Sequence, residues 1–327
     1  MRILRWGAMI AVLSAILVAG ISWFGSQEIT RRAQAALTGM TDLGRARGGA
    51  VTAAGFPVRI GVQVQDLALL GAPQVETPRL VATAPLWNPL DWSGDLALPM
   101  VVTTGGMRFN VTGTSARVGV RPGYGADWPV RATSLALLDP AATYEAAGAP
   151  SLTAKALNLV ALQQDGAAYR IHAAIDALAL PPGLAASLTP TARFPDTIET
   201  VTADALVTFS TPFTLTPQPA PQIDTLQIDM MRLIWGGHQI ALSGTLTVDP
   251  AGQPEGTLQL RVQDWQQWLE FAQGALRIDR RAMPVLMILG NTLSRATGDG
   301  TIVAPLVFRD GQMALGPVPL GPAPVLR

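Results

Sequence analysis

The chain of 327 residues has no cysteine, two histidines and a formal net charge of zero. The missing thiols exclude disulfides and cysteine nucleophiles, and leave the redox compartment open, because a chain without thiols suits either kind. With only His172 and His238, a histidine metal site would need carboxylate help. Lys155 is the sole lysine, and no basic stripe exists to neutralise phosphates, so nucleic acid is not an expected partner. Charged residues make up 14% of the chain. The sequence contains no Gly-x-Ser-x-Gly elbow, phosphate loop, His-Glu-x-x-His pair or dinucleotide fingerprint. No catalytic residue, cofactor or metal site is expected from it.

Charge is also missing locally. Residues 6–27, from Trp6 through Gln27, hold no Asp, Glu, Lys or Arg. About 20 apolar residues rising about 1.5 Å each cross a hydrocarbon core about 30 Å thick, so this stretch predicts a transmembrane anchor. A cleavable signal peptide fits less well. Its apolar core is shorter, and bulky Trp23-Phe24 stands where a cleavage site wants small residues, whereas such rings suit the membrane interface. Arg2 and Arg5 mark residues 1–5 as a cytoplasmic tail, although Arg31, Arg32, Arg45 and Arg47 load the other flank. The expectation is a single pass through an inner membrane, with the bulk of the chain in the periplasm and the bilayer as a partner. Over 28–47, Ile29, Ala33, Ala36, Leu37, Met40 and Leu43 recur at helical spacing, with Gly44 and Gly48-Gly49 as stops. This predicts a helical stalk, either packed on the domain or lying along the membrane surface.

From residue 48 onward the pattern is that of strands. The 32 glycines and 26 prolines of the chain suit an ordered domain with many turns. Val58, Ile60, Val62 and Val64 alternate with polar or small residues, and the phase slips before Leu67 and Leu69, so a bulge is expected near Asp66. Similar runs follow at Leu80–Ala84, Leu96–Thr103, Arg108–Thr112, Ser115–Val120, Val130–Leu138, Ala154–Leu162, Tyr169–Leu180, Val201–Phe209 and Ile223–Trp235, with a hairpin signal at Asp165-Gly166. Gly105-Gly106-Met107-Arg108-Phe109-Asn110-Val111-Thr112-Gly113-Thr114 matches Gly236-Gly237-His238-Gln239-Ile240-Ala241-Leu242-Ser243-Gly244-Thr245 in pattern. Two readings stay open for the match: a duplication with halves at about 55–180 and 200–327, or two similar hairpins. Asp264, followed by Trp265, Trp268, Leu269 and Ala272, caps a helix, with Gln267 three residues later as in a capping box. A second helix spans Arg281–Arg295, with Leu286, Leu289 and Leu293 inward. The fold class is therefore mainly β with some α: a large curved antiparallel structure with helices packed near the C-terminus.

The polar candidates read as structural. His172 shares strand parity with Arg170 and faces solvent or a polar edge, and His238 stands beside a turn. Asp249, Gly252 and Glu255 lack the run of oxygen ligands that calcium needs. Asp196, Glu199, Asp204, Asp224 and Asp229 offer carboxylates, but sequence brings no two of them to a working separation. Apolar residues fill both parities from Met230 to Trp235, and Leu96 to Val102 behaves alike. Such a run suits a strand covered on both faces, an acyl-chain groove or a docking surface. Met100, Val102, Met230, Met231, Leu233 and Trp235 are the candidate apolar-groove or partner-surface residues.

The succession Gly244-Thr245-Leu246-Thr247-Val248-Asp249-Pro250-Ala251-Gly252, then Pro254, Gly256-Thr257-Leu258, the Trp265 helix and the ending Phe308-Arg309-Asp310-Gly311-Gln312-Met313-Ala314-Leu315-Gly316-Pro317 resemble the DUF2125 family. Gly55-Phe56-Pro57-Val58 and Ala84-Pro85-Leu86-Trp87-Asn88-Pro89 are similar to it too. The resemblance covers nearly the whole chain and implies an alphaproteobacterial envelope protein with an N-terminal anchor, no assigned reaction and no catalytic residues. More loosely, the layout resembles the AsmA-like envelope proteins, whose curved β-structures are associated with lipid handling. The expected function is non-catalytic binding of an apolar envelope component, such as lipid, in a concave sheet. The alternative is a structural or assembly module that binds another envelope protein.

Overall fold

The computed structural model describes residues 27–71, 73–125, 127–145, 151–181, 194–215, 221–275, 283–297 and 300–326. The expected anchor lies outside these, apart from Gln27. Among the described residues no helix is long and apolar enough to cross a membrane. The structure is mainly antiparallel β with few helices. It falls into two compact units: residues up to Gly123 with Thr133–Ala149, and Tyr124–Ala132 with residues from Pro150 onward.

The first unit opens with helix α1 over 27–42. Leu37 is buried against Ala46, Val64 and Leu67, with Met40 beside it, while Leu43 is exposed. Gly44, at φ +64°, ends the helix: its N–H donates to the Thr41 carbonyl and that of Arg45 to the Met40 carbonyl. The following strands are β1 (Ala46–Arg47), β2 (Val51–Ala54), β3 (Arg59–Leu69), β4 (Gln74–Pro85), β5 (Trp92–Leu96), β6 (Met100–Thr104), β7 (Met107–Thr112), β8 (Ser115–Pro122), β9 (Val130–Leu138), whose first residues, Val130–Ala132, belong to the second unit, and β10 (Ala141–Tyr144). β3 pairs with β1, β2 and β4. Asp66 takes φ +47° and drops out of the ladder, which lets Val64 and Leu67 share the core. Val58, which alternation assigns to this strand, precedes it and is exposed. β4 pairs with β6 through Gln74–Glu76 and with β5 through Leu80–Thr83. Thr77 sits buried where these two partners diverge, and its hydroxyl donates to the Ala97 carbonyl at 2.8 Å. The apolar run Leu96–Thr103 is therefore two strands broken at Pro99, which cannot continue a ladder.

The second unit is a meander. It contains β11 (Ser151–Thr153), β12 (Ala156–Asp165), β13 (Ala168–Ala179), β14 (Thr197–Phe209), β15 (Ile223–Trp235), β16 (His238–Val248), β17 (Pro254–Val262), β18 (Ile302–Arg309), β19 (Gln312–Leu315) and β20 (Val318–Pro322). From β12 each strand pairs antiparallel with the next. The turns are where sequence places them. Gly166 carries φ +50°, and both glycine pairs of the repeated motif (Gly105-Gly106 and Gly236-Gly237) have positive φ between directly opposed residues. The two copies then diverge: β7 ends before Gly113, whereas β16 runs on through Gly244. Asp249 forms a turn, its carboxylate accepting from the Gln253 N–H at 2.7 Å.

Helices α2 (Trp265–Ala275) and α3 (Met283–Thr297) lie between β17 and β18 in sequence. Asp264 does not cap α2 through its side chain as expected. Its φ is +54°, its backbone carbonyl accepts from the Gln267 N–H at 3.0 Å, and its carboxylate turns to His238. Trp265 and Trp268 are buried in the main core with Phe194, Ile198, Trp235, Val262, Ile302 and Ala304. Full burial of a large apolar side chain contributes about 1.5–3 kcal/mol, so this cluster is what holds the helices to the sheet.

Candidate functional site

Strand alternation gives the second unit's sheet two chemically different faces. On one face, Val201, Leu233, Ile240, Leu260 and Val262 point to the aromatic core beneath α2. There Trp235 stacks against Phe194 with centroids 4.6 Å apart, and its indole N–H donates to the Pro195 carbonyl at 2.7 Å. Beside this core lies a cavity of about 240 Å³. Trp265, Trp268 and Leu269 of α2 wall it, with Leu286, Leu289 and Leu293 of α3 opposite and Ile240, Leu260 and Ile302 from the sheet. Among the described residues no charged side chain lines it. Trp268 brings one buried indole N–H that has no partner among the described residues. Gly290 makes the arrangement fit, since a Cβ there would stand 2.5 Å from the Trp265 ring.

The opposite face is polar. His172 and Asp204 are direct cross-strand partners, with Nδ1 2.7 Å from the carboxylate. Asp229 accepts from Arg170 and from Gln227, and the Arg170 hydrogen bond holds its carboxyl below the usual carboxylate range. At the turn between β15 and β16, Glu199 accepts from the Gly236 N–H at 2.9 Å, and on the core side His238, edge-on to Phe194, has its Nδ1 3.0 Å from Asp264. Each of these carboxylates thus meets a guanidinium, an imidazole, an amide or a backbone donor rather than a second carboxylate. Among the described residues no group of three His, Asp or Glu is arranged to hold a metal.

The six residues singled out for an apolar groove do not gather at the cavity. Met100, buried, and Val102 lie on β6 of the first unit; the other four lie on β15 of the second. Trp235 and Leu233 belong to the core beneath α2. Met230 and Met231 are both exposed, and the reading that β15 is covered on both faces at this end is corrected by a β-bulge. Asp229 and Met230 together oppose Ser243, so strand parity inverts: Leu226, Ile228, Met231, Leu233 and Trp235 share one face while Met230 and Arg232 take the other. The cavity walls Leu286, Leu289 and Leu293 are visible in the sequence as an inward stripe. What sequence does not reveal is that this stripe stops short of filling the space against Trp265 and Trp268.

A family model described as an uncharacterized protein conserved in bacteria, DUF2125, matches residues 23–324. No curated protein and no solved structure matches the chain.

Proposed function

Because the chain belongs to the DUF2125 family, whose description assigns no activity, function has to be read from its own residues, and we propose a non-catalytic, membrane-tethered protein that binds an alkyl chain beneath α2 and α3. The observation that carries this reading is the apolar cavity. At about 240 Å³ it falls below the roughly 300–1,000 Å³ of sites that enclose a drug-sized molecule, so it suits one hydrocarbon segment whose remainder lies outside. An aliphatic and aromatic wall favours such a segment by removing its surface from water, at about 25 cal/mol per Å² buried. The Trp268 N–H, which has no partner among the described residues, favours a ligand that also carries an acceptor oxygen, as an acyl chain does. The uncharged stretch 6–27 supports tethering in an inner membrane with the domain outside the cytoplasm, which puts the cavity within reach of bilayer lipids.

A photoreactive fatty acid tests the reading on the full chain in mild detergent. Labelling is expected on peptides from Trp265–Ala275 and Met283–Thr297, and Leu289→Trp, which fills the cavity, is expected to remove it. Labelling that ignores this substitution, or that falls only on residues 6–27, overturns the proposal.

A further inference from the structure

The polar face of the second unit carries a site that the alkyl cavity does not involve. Register sets Arg232 opposite Ala241 and Ala241 opposite Arg261, so the three side chains stand in one row on one face. Neighbouring strands are about 4.8 Å apart, which separates the two arginine backbones by about 10 Å with only a methyl group between them. In the next row Ser243 opposes Gln259 and the bulged pair Asp229 and Met230. With Gln239, these residues line a depression of about 280 Å³. The intervening residues Ile240 and Leu260 point through the sheet to the other face, so the two sites are separate.

The charges in this depression are not balanced. Asp229, its one carboxylate, is already held by Arg170 and Gln227. Among the described residues neither Arg232 nor Arg261 forms an ion pair. The Nη2 of Arg232 lies 3.0 Å from the Met230 sulfur, a weak acceptor, and its buried Nε has no partner among the described residues. An unpaired guanidinium N–H held away from water is costly, and an incoming anion removes that cost.

We propose that Arg232 and Arg261 clamp a phosphate group across Ala241, with Ser243, Gln239 and Gln259 as neutral donors. A planar carboxylate offers two oxygens and satisfies one guanidinium fork, whereas a tetrahedral phosphate presents oxygens to two forks approaching from opposite sides. The group is either a free phosphate or the diester of a lipid headgroup.

The test is a ³¹P NMR titration of the full chain in neutral detergent, with inorganic phosphate in one arm and a water-soluble glycerophosphodiester in the other. Saturable binding is expected in at least one arm. Tighter binding of the diester assigns the site to headgroups, and binding of phosphate alone assigns it to the free ion. Arg261→Gln is expected to weaken binding about tenfold, as loss of one charge-assisted fork does. Arg261→Lys recovers part of it, and Ala241→Glu abolishes it by placing a carboxylate between the two forks. Arg261 is exposed, so its replacement leaves the fold intact, which circular dichroism checks. No saturable binding in either arm, or equal binding by wild type, Arg261→Gln and Ala241→Glu, overturns the proposal.

Discussion

The phenolic hydroxyl of Tyr169 donates to the Val130 carbonyl oxygen at 3.0 Å, tying β13 to the start of β9. The same oxygen accepts from the Phe213 N–H at 3.1 Å, and the ring packs edge-on against Phe209 and Phe213. One buried hydroxyl thereby serves two backbone groups. Tyr169→Phe keeps the ring and strands both partners, so it is expected to cost about 1–2 kcal/mol, measured as a shift in the urea midpoint at unchanged slope.

The same residue sets an alkaline limit. Burial pushes the Tyr169 phenol above its ordinary value of 10.0, outweighing the Phe213 N–H, which favours the phenolate. In the unfolded chain the phenol ionises first. The stability it contributes is therefore complete below about pH 10 and is lost as pH rises through the higher native value. A series of unfolding curves above pH 10 is expected to fall less steeply for Tyr169→Phe than for wild type, and identical slopes would refute the assignment.

Turns were legible in the sequence because they are local. Asp165-Gly166, Gly105-Gly106 and Gly236-Gly237 carry their own conformational requirement, and Asp66 declares itself by a slip in phase. The bulge at Asp229 and Met230 is different, since it exists only relative to β14 and β16. Two adjacent methionines therefore looked like a strand covered on both faces. Asp264 stands at the start of α2 as its sequence suggests, but its side chain turns to His238, 26 positions earlier in the chain, instead of capping the helix. The cavity was hidden for a similar reason. A leucine stripe at helical spacing shows which face turns inward, whereas the distance between that face and Trp265 is set by Gly290 and by the packing of two helices.

Gly244 and Gly256 form a reciprocal pair on β16 and β17. Each has φ +138°, and each faces a buried leucine of the other strand, Leu258 and Leu246. A Cβ on Gly244 would stand 2.6 Å from the Thr257 carbonyl oxygen, and one on Gly256 at the same distance from that of Thr245. Gly244→Ala adds this backbone clash to an unfavourable φ and is expected to cost about 3 kcal/mol or more. Gly105 is the control. It also has positive φ, but nothing lies within 4 Å of a Cβ there, so Gly105→Ala is expected to cost only about 1–2 kcal/mol. Equal losses in chemical denaturation would show that close strand approach contributes nothing at Gly244.

Gly290→Ala tests how α3 sits. The added methyl meets the buried Trp265 ring at 2.5 Å, and the ring has little room to retreat within the core. Overpacking of this kind costs about 1–3 kcal/mol. The expected outcome is a changed tryptophan emission together with faster amide exchange in Met283–Thr297, while the ladder between β13 and β14 keeps its protection. Uniform loss of protection across the sheet would mean that α3 and the sheet unfold as one.

The uncharged stretch 6–27 makes a prediction about place. If it anchors the chain, the full protein resists alkaline carbonate extraction from membranes, and a variant lacking residues 1–27 is released by it. Orientation follows from the two flanks. Arg2 and Arg5 favour a cytoplasmic N-terminus, and the four arginines between Arg31 and Arg47 oppose it, but a domain of this length translocates largely regardless of flanking charge. An alkaline phosphatase fused after Arg327 is then expected to be active, because that enzyme matures only outside the cytoplasm. Replacing Arg31 and Arg32 by Gln removes opposing charge and is expected to leave the activity unchanged or higher. A silent fusion beside intact membrane retention would put the domain, and with it the apolar cavity, on the cytoplasmic side.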